Sequence, residues 1–294
     1  RSLELGSVIK TLTVAAALEE GVVYDGQTYF DPSFYVVDGY TIRNVEEDGG
    51  AATRSIEDIL SFSLNTGATW LLMQMGGGEL NERGRLVWED DMDNKYMFGQ
   101  TTGVEQGFEE TGITPDARNG DALNLRYANS SFGQGMTVTP LQMASALATA
   151  VNGGTYYQPT LVEGYVSSDG EYTQKQPEVK LDGIFSEDTS NTLVNYMITT
   201  LSKNSYTRPA LRDGYKIGGK TGTAQVANPA GGYYTDRYNG TYVGFVGFDK
   251  PEYIIMTRVN EPNIGGYAGT TAASPIFVDV AKLLTDELSA VDGE

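Results

Sequence analysis

Ser7 and Lys10, three residues apart, are the pair in this chain best placed for covalent chemistry. On a helix these two positions share a face, which sets the amine beside the hydroxyl. Backbone N–H groups at a helix start can hold an oxyanion, and the positive end of the helix dipole disfavours charge on a nearby ammonium. A neutral amine against a hydroxyl is a general base against a nucleophile. The simpler alternative is that Ser7 only caps the helix, which serine does well. No other serine has lysine at the third following position, so the pair has no rival. The element that must carry it is legible too: Val8, Leu12, Ala15 and Leu18 fall on one stripe at 3.6 residues per turn, and Gly21 is suited to end the run. The spacing predicts a buried helix over 6–20 with Ser7 on its first turn.

Composition narrows the chemistry. The chain has 294 residues, enough for a sizeable core, with no His and no Cys. A Ser-His-Asp triad, a Cys-His nucleophile and any His or thiolate metal site are thereby excluded, and a base must come from Lys, Asp, Glu or Tyr. Asp and Glu number 39 against 20 Lys and Arg, a formal charge of −19. Such a surface argues against nucleic acid as partner and against a basic lipid-binding face, and is read as solubilising. Absence of Cys suits an extracytoplasmic bacterial protein. No apolar stretch is long enough to cross a bilayer, so any anchor is expected outside this sequence.

Further along, residues 22–42 alternate aromatic and β-branched residues with Asp, Gly and Pro32, and read as short extended segments. The acidic run Glu46 to Gly50 reads as a solvated turn. Ser55 is an N-cap for a helix over 56–61, with Glu57 and Asp58 in its first turn. Ser63 and Asn65 then stand at a break before a second apolar helix over 68–75, where they point into a cleft or merely cap backbone. Residues 79–98 read as charged and helical. The cluster Trp88 to Asp93 lacks the alternating oxygen ligands and central Gly of a calcium loop and is taken as a solvated face. Pro140 opens a helix over 141–151, residues 156–180 read as surface strands, and Ser186 caps another helix. Runs over 215–226, 242–249 and 252–260 predict an antiparallel sheet, closed by an amphipathic helix over 271–290 with Phe277, Val280, Leu283 and Leu284. The whole is an α+β fold, a helical lobe on an antiparallel sheet.

On the first of those strands stands Lys220-Thr221-Gly222-Thr223. Together, Ser7-x-x-Lys10, Ser63-x-Asn65 and Lys220-Thr221-Gly222, in that order, resemble the transpeptidase domain of penicillin-binding proteins. Gly133-Gln134-Gly135 with Val138-Thr139-Pro140-Leu141-Gln142 resembles the class B branch that serves cell division and elongation. The likeness covers nearly the whole chain. Ser202-Lys203-Asn204 is a second match to the middle motif, but it lies just before the Lys220 strand, and the upstream Ser63 and Asn65 are preferred. Leu5 stands where the family commonly has Pro.

The resemblance implies acyl transfer through a covalent ester. Ser7 would attack a D-alanyl-D-alanine peptide stem with Lys10 as base, kept neutral by burial and by Lys220. Ser63 would pass the proton to the leaving amine, Asn65 would bond the substrate amide, and the backbone N–H groups of Ser7 and Thr223 would form the oxyanion hole. Thr221 and Thr223, with Gly222 between them and Lys220 alongside, would hold the terminal carboxylate. No metal and no cofactor is implied. The partners implied are peptidoglycan stem peptides, β-lactams, a membrane glycosyltransferase and division or elongation proteins, at the extracytoplasmic face of the bacterial membrane. A DD-carboxypeptidase stays open. A β-lactamase is disfavoured, because Gly77 stands where the Glu of its Glu-x-x-Leu-Asn motif would precede Leu80-Asn81. A β-lactam sensor or a division scaffold is the non-enzymatic alternative. The family places strands, an anchor and a further domain ahead of the nucleophile, so the chain is expected to be an excerpt in which the strand over 252–260 is paired on one side only.

Overall fold

The computed structural model describes residues 1–44 and 50–291. The acidic run expected as a turn at Glu46 lies mostly outside the described residues. Helix α1 (Lys10–Glu19) follows one 3₁₀ turn (Gly6–Ile9), and Gly21 takes the left-handed conformation (φ +66°) that ends it. Its expected amphipathic stripe is absent as such, since every residue from Lys10 to Ala17 is buried. A helix that forms the central post of a lobe must be apolar or small all round.

Around it stand α2 (Ile56–Ser61), α3 (Asn65–Met75), α4 (Glu82–Asp90), α5 (Leu123–Ser130), α6 (Pro140–Val151) and α7 (Glu187–Lys203). Helices α2 and α6 begin as the sequence dictates, each with a reciprocal capping box: Ser55 with Asp58, and Thr139 with Gln142 behind Pro140. The extended segments of the early region form two antiparallel pairs, Thr28–Asp31 with Ala52–Ser55 and Phe34–Val37 with Tyr40–Arg43. The expected surface strands are two more short pairs, Tyr156–Tyr157 with Val179–Leu181 and Gly164–Val166 with Tyr172–Gln174.

The main sheet is antiparallel. Its central strand, Tyr233–Gly247, pairs with Lys216–Ala227 on one side and Tyr253–Asn260 on the other. Among the described residues Tyr253–Asn260 is thus an edge, paired on one side only. Val243 and Phe245 face the helical lobe and join its core. Ile217, Tyr242 and Val246 face the opposite way, onto Phe277, Val278 and Ala281 of the closing helix α8 (Ser274–Val291). The α+β architecture is as expected.

Two expectations need correction. The Trp88 to Asp93 cluster is no solvated face: Trp88, Asp91 and Met92 are fully buried. The helix loosens into a π turn over Asp91–Lys95, and Lys95 reaches back to pair with Asp91 at 2.6 Å and with Glu20 at 2.7 Å. Sequence periodicity cannot show that the counter-charge arrives through such a turn. Leu283 of α8 is exposed, whereas Phe277 is buried and Val280 and Leu284 are partly buried.

Candidate active site

Ser7 sits in the 3₁₀ turn whose preceding residues make no side-chain cap, so the bland role of helix cap is not the one it fills. What holds this turn in place is backbone. Gly6 is left-handed (φ +66°), and a β-carbon on it would lie 2.7 Å from Thr223 O and 3.3 Å from Thr223 N. Only glycine lets the two main chains approach this closely. On the other flank Gly6 N donates to Gly133 O at 3.2 Å, and a β-carbon on Gly133 would lie 2.1 Å from Gly6 O. Leu5, the residue that departs from the family pattern, is buried, and its carbonyl accepts from Thr241 Oγ1 at 2.7 Å. The nucleophile turn is therefore clamped between the Ser131–Thr139 segment and the Lys220 strand.

This clamp makes a prediction. Gly133→Ala adds a β-carbon at a left-handed position (φ +83°) that the Gly6 carbonyl already occupies, and should lower acylation of Ser7 about tenfold or more. Gly135→Ala, equally left-handed (φ +69°) but with nothing within 4 Å, should lower melting temperature without that loss of rate. Equal acylation by the two variants would count against the clamp.

Lys10 is fully buried. Its Nζ lies 3.0 Å from Ser7 Oγ, 3.1 Å from Ser63 Oγ and 2.6 Å from Ser63 O. Burial, and secondarily the charge of Lys220, hold its pKa well below the ordinary lysine value. A neutral amine has two protons to give and one lone pair. Donation to the Ser63 carbonyl and one hydroxyl leaves the lone pair to accept the proton of the other. The Phe132 ring, its centroid 6.0 Å from Nζ, closes another side.

Ser63 presents both its carbonyl and its hydroxyl to Lys10 because its backbone is left-handed (φ +55°), a conformation costly for a non-glycine residue. Bonds from Ser63 N to Leu60 O and from Leu64 N to Ile59 O fix it there. Asn65 does not stand in the break with Ser63; it is the first residue of α3. Its Nδ2 donates to Arg43 O at 2.9 Å, which leaves Oδ1 to accept a peptide N–H.

Lys220, also buried, lies across from Lys10 on the sheet's edge strand, and burial pushes its pKa down to about 7. Among the described residues its Nζ finds only its neighbour, Thr221 O at 3.0 Å and Oγ1 at 3.3 Å. No carboxylate offsets either lysine within ion-pairing distance among the described residues. Gly222 packs where a β-carbon would meet Thr241 Oγ1 and Leu5 O, and Thr223 Oγ1 accepts from Gly269 N at 3.0 Å. Ser7, Lys10, Ser63, Lys220, Thr221 and the Thr223 backbone thus converge on one cleft, with Asn65 at its edge. Sequence reasoning missed Thr241 and Phe132. The second was within reach, since it stands in the Ser131 to Gly135 segment already singled out, whereas Thr241 carries no motif.

A serine on the turn that opens the buried central helix, facing a lysine-bearing edge strand, is the arrangement of the β-lactamase-like α+β fold. The family model described as the penicillin-binding protein transpeptidase domain matches residues 2–282, and the chain belongs to that family. It is 32% identical over 288 residues to stage V sporulation protein D of Bacillus subtilis (strain 168), with 97% of this chain and 42% of that protein covered. With peptidoglycan D,D-transpeptidase FtsI of Escherichia coli (strain K12) the identity is 27% over 274 residues, covering 93% of this chain and 42% of that protein. The crystal structure of penicillin-binding protein 3 from Mycobacterium tuberculosis complexed with aztreonam superposes with a TM-score of 0.84 at 26% identity, over 98% of this chain and 63% of that one. The chain spans less than half the length of the first two relatives.

Proposed function

We propose that this chain is the catalytic domain of a D,D-transpeptidase, which cross-links peptidoglycan stem peptides through an ester on Ser7 and is acylated there by β-lactams. The observation that carries this reading is the Ser7 hydroxyl 3.0 Å from the Nζ of a fully buried lysine. Ser7 Oγ attacks the carbonyl of the penultimate D-alanine while its proton passes to Lys10. The carbonyl oxygen takes up negative charge, facing the N–H groups of Ser7 and Thr223. Such donors contribute about 3 kcal/mol each in comparable sites. The tetrahedral adduct collapses to the ester as the C–N bond breaks, and the proton returns through Ser63, 3.1 Å from Lys10, to the leaving D-alanine amine. An acceptor amine then attacks the ester by the same steps reversed.

Lys220, Thr221 and Thr223 serve the donor's terminal carboxylate in this reading, and Asn65 Oδ1 receives a peptide N–H. Asn81 supports no water-activating role: it caps α4, accepting from Gly84 N and donating to Gly76 O. The names of the relatives, one a sporulation protein and one a D,D-transpeptidase, support cell-wall synthesis in division or a related process. A membrane-anchored parent on the extracytoplasmic face, assembled with a glycosyltransferase, completes the reading; the greater length of the relatives supports it, and no described helix of this chain is long and apolar enough to cross a membrane. Intact-mass spectrometry with benzylpenicillin should show one adduct on the wild type and none on Ser7→Ala. Labelling that survives the substitution would sink the assignment.

A further inference from the structure

The rejected middle motif, Ser202-Lys203-Asn204, has its own place in the site. Helix α7 ends at Lys203, and Asn204 lines a cavity of about 90 Å³ together with Ser63, Thr207, Lys220, Thr221 and Tyr242. This is room for a few waters or one carboxylate, not for a peptide. No Asp or Glu lines it.

Two observations bear on what it can hold. The buried Tyr242 hydroxyl faces the Thr207 hydroxyl, in keeping with the habit of buried tyrosine hydroxyls to find a partner. Thr207 gives its own proton to Leu201 O at 2.8 Å, so its oxygen is left to accept from Tyr242, which keeps no proton for a ligand. Second, the orientation of the Asn204 amide is set: Oδ1 accepts from Tyr206 N at 2.9 Å, so the other end is the amino group, Nδ2, a donor with nothing to donate to among the described residues.

The helix C-terminus would ordinarily repel an anion. Here several of its carbonyls are occupied. Thr199 O accepts from Ser202 Oγ, Leu201 O from Asn204 N and Thr207 Oγ1, Ser202 O from Arg208 Nε, and Asn204 O from the N–H groups of Thr207 and Arg208. A cavity lined by an amide donor, the Thr221 hydroxyl and a lysine, and free of acids, fits a carboxylate.

We propose that Asn204 Nδ2 binds the C-terminal carboxylate of the donor peptide, and the equivalent carboxylate of a β-lactam, from the side opposite Ser63 and Thr221. This rests on the acyl-transfer reading above and adds to it a binding residue from outside the three motifs. Asn204 would select for substrates that end in a free carboxylate.

Asn204→Asp is the informative variant. The aspartate keeps an oxygen for Tyr206 N, preserving the turn, and replaces the donor with a charge of the wrong sign. Second-order acylation rates with benzylpenicillin and with its methyl ester, measured on wild type, Asn204→Asp and Asn204→Ala, separate the cases. Bonds to charged groups are strong, so Asn204→Asp should acylate with benzylpenicillin about tenfold or more slowly, and Asn204→Ala should fall between it and the wild type. With the ester the three proteins should agree within about twofold. A wild-type rate for Asn204→Asp with benzylpenicillin overturns the proposal. So does an equal loss with acid and ester, which would mark a merely structural role. A wild type that neither compound labels would be a different failure, that of the acyl-transfer reading itself.

Discussion

Lys10→Met should slow acylation of Ser7 by about 10³-fold while the protein melts no lower than the wild type. The first half follows from the absence of any substitute. The chain has no His, and the other lysine in the cleft, Lys220, bonds only its own neighbour, Thr221, among the described residues. General-base catalysis contributes about 10²–10⁴ in rate, and the loss should be realised nearly in full because nothing can replace the amine. The second half follows from burial. Methionine fills the volume of the lysine stem and removes an amine whose charge the interior already disfavours. Rate and melting temperature measured on the same variant test both halves. A well-folded Lys10→Met that acylates at the wild-type rate would show that the base is elsewhere.

The second large effect concerns stability. Lys220 is buried without an acidic partner, and its pKa falls from the ordinary 10.5 to about 7 on folding. For a base whose folded pKa is depressed, the unfolded chain binds the extra proton between the two values, so stability rises with pH across that window. The burial penalty is therefore full below about pH 7 and fades toward pH 10.5. A shift of this size corresponds to roughly 4–5 kcal/mol, an upper figure for what a substitution recovers. Lys220→Met should accordingly be more stable than the wild type by a few kcal/mol at pH 6, with the advantage shrinking by pH 9, and should bind carboxylate substrates poorly. Denaturant unfolding at the two pH values is the measurement. A variant less stable than the wild type at pH 6 would mean that Lys220 has a stabilising partner in solution. In the wild type the same titration should appear as an alkaline limb near pH 7 in the second-order acylation rate, which reports on the free enzyme.

The motifs were legible because each is local. Ser7 and Lys10 need only one helical turn to meet, and Lys220 to Thr223 need only a strand. The capping boxes at Ser55 and Thr139 were likewise written in adjacent residues. What stayed hidden depends on elements far apart in the chain. Trp88 and Asp91 look like a charged surface until Lys95 and the π turn are seen. Asn65 looks like a break residue until Asn44 and Arg43 dock on the start of α3, with Asn44 Oδ1 accepting from Thr66 N and Arg43 O from Asn65. Asn204 was weighed as a rival to Asn65, whereas the fold sets both around one cleft, because α7 runs along the Lys220 strand and ends beside it.

One feature of the cleft bears on how this protein can change over generations. Its closest approaches are main chain on main chain: Gly6 against Thr223 and Gly133, and Gly222 against Gly269. No rotamer can relax there, and no substitution at those glycines can retune the distances by small steps. Adaptation to a new inhibitor is therefore channelled outward, to side chains that touch the cleft without building it, such as Phe62 and Asn204 at the mouth of the small cavity. The architecture separates an inherited frame, open to nearly no mutation, from a perimeter on which selection acts.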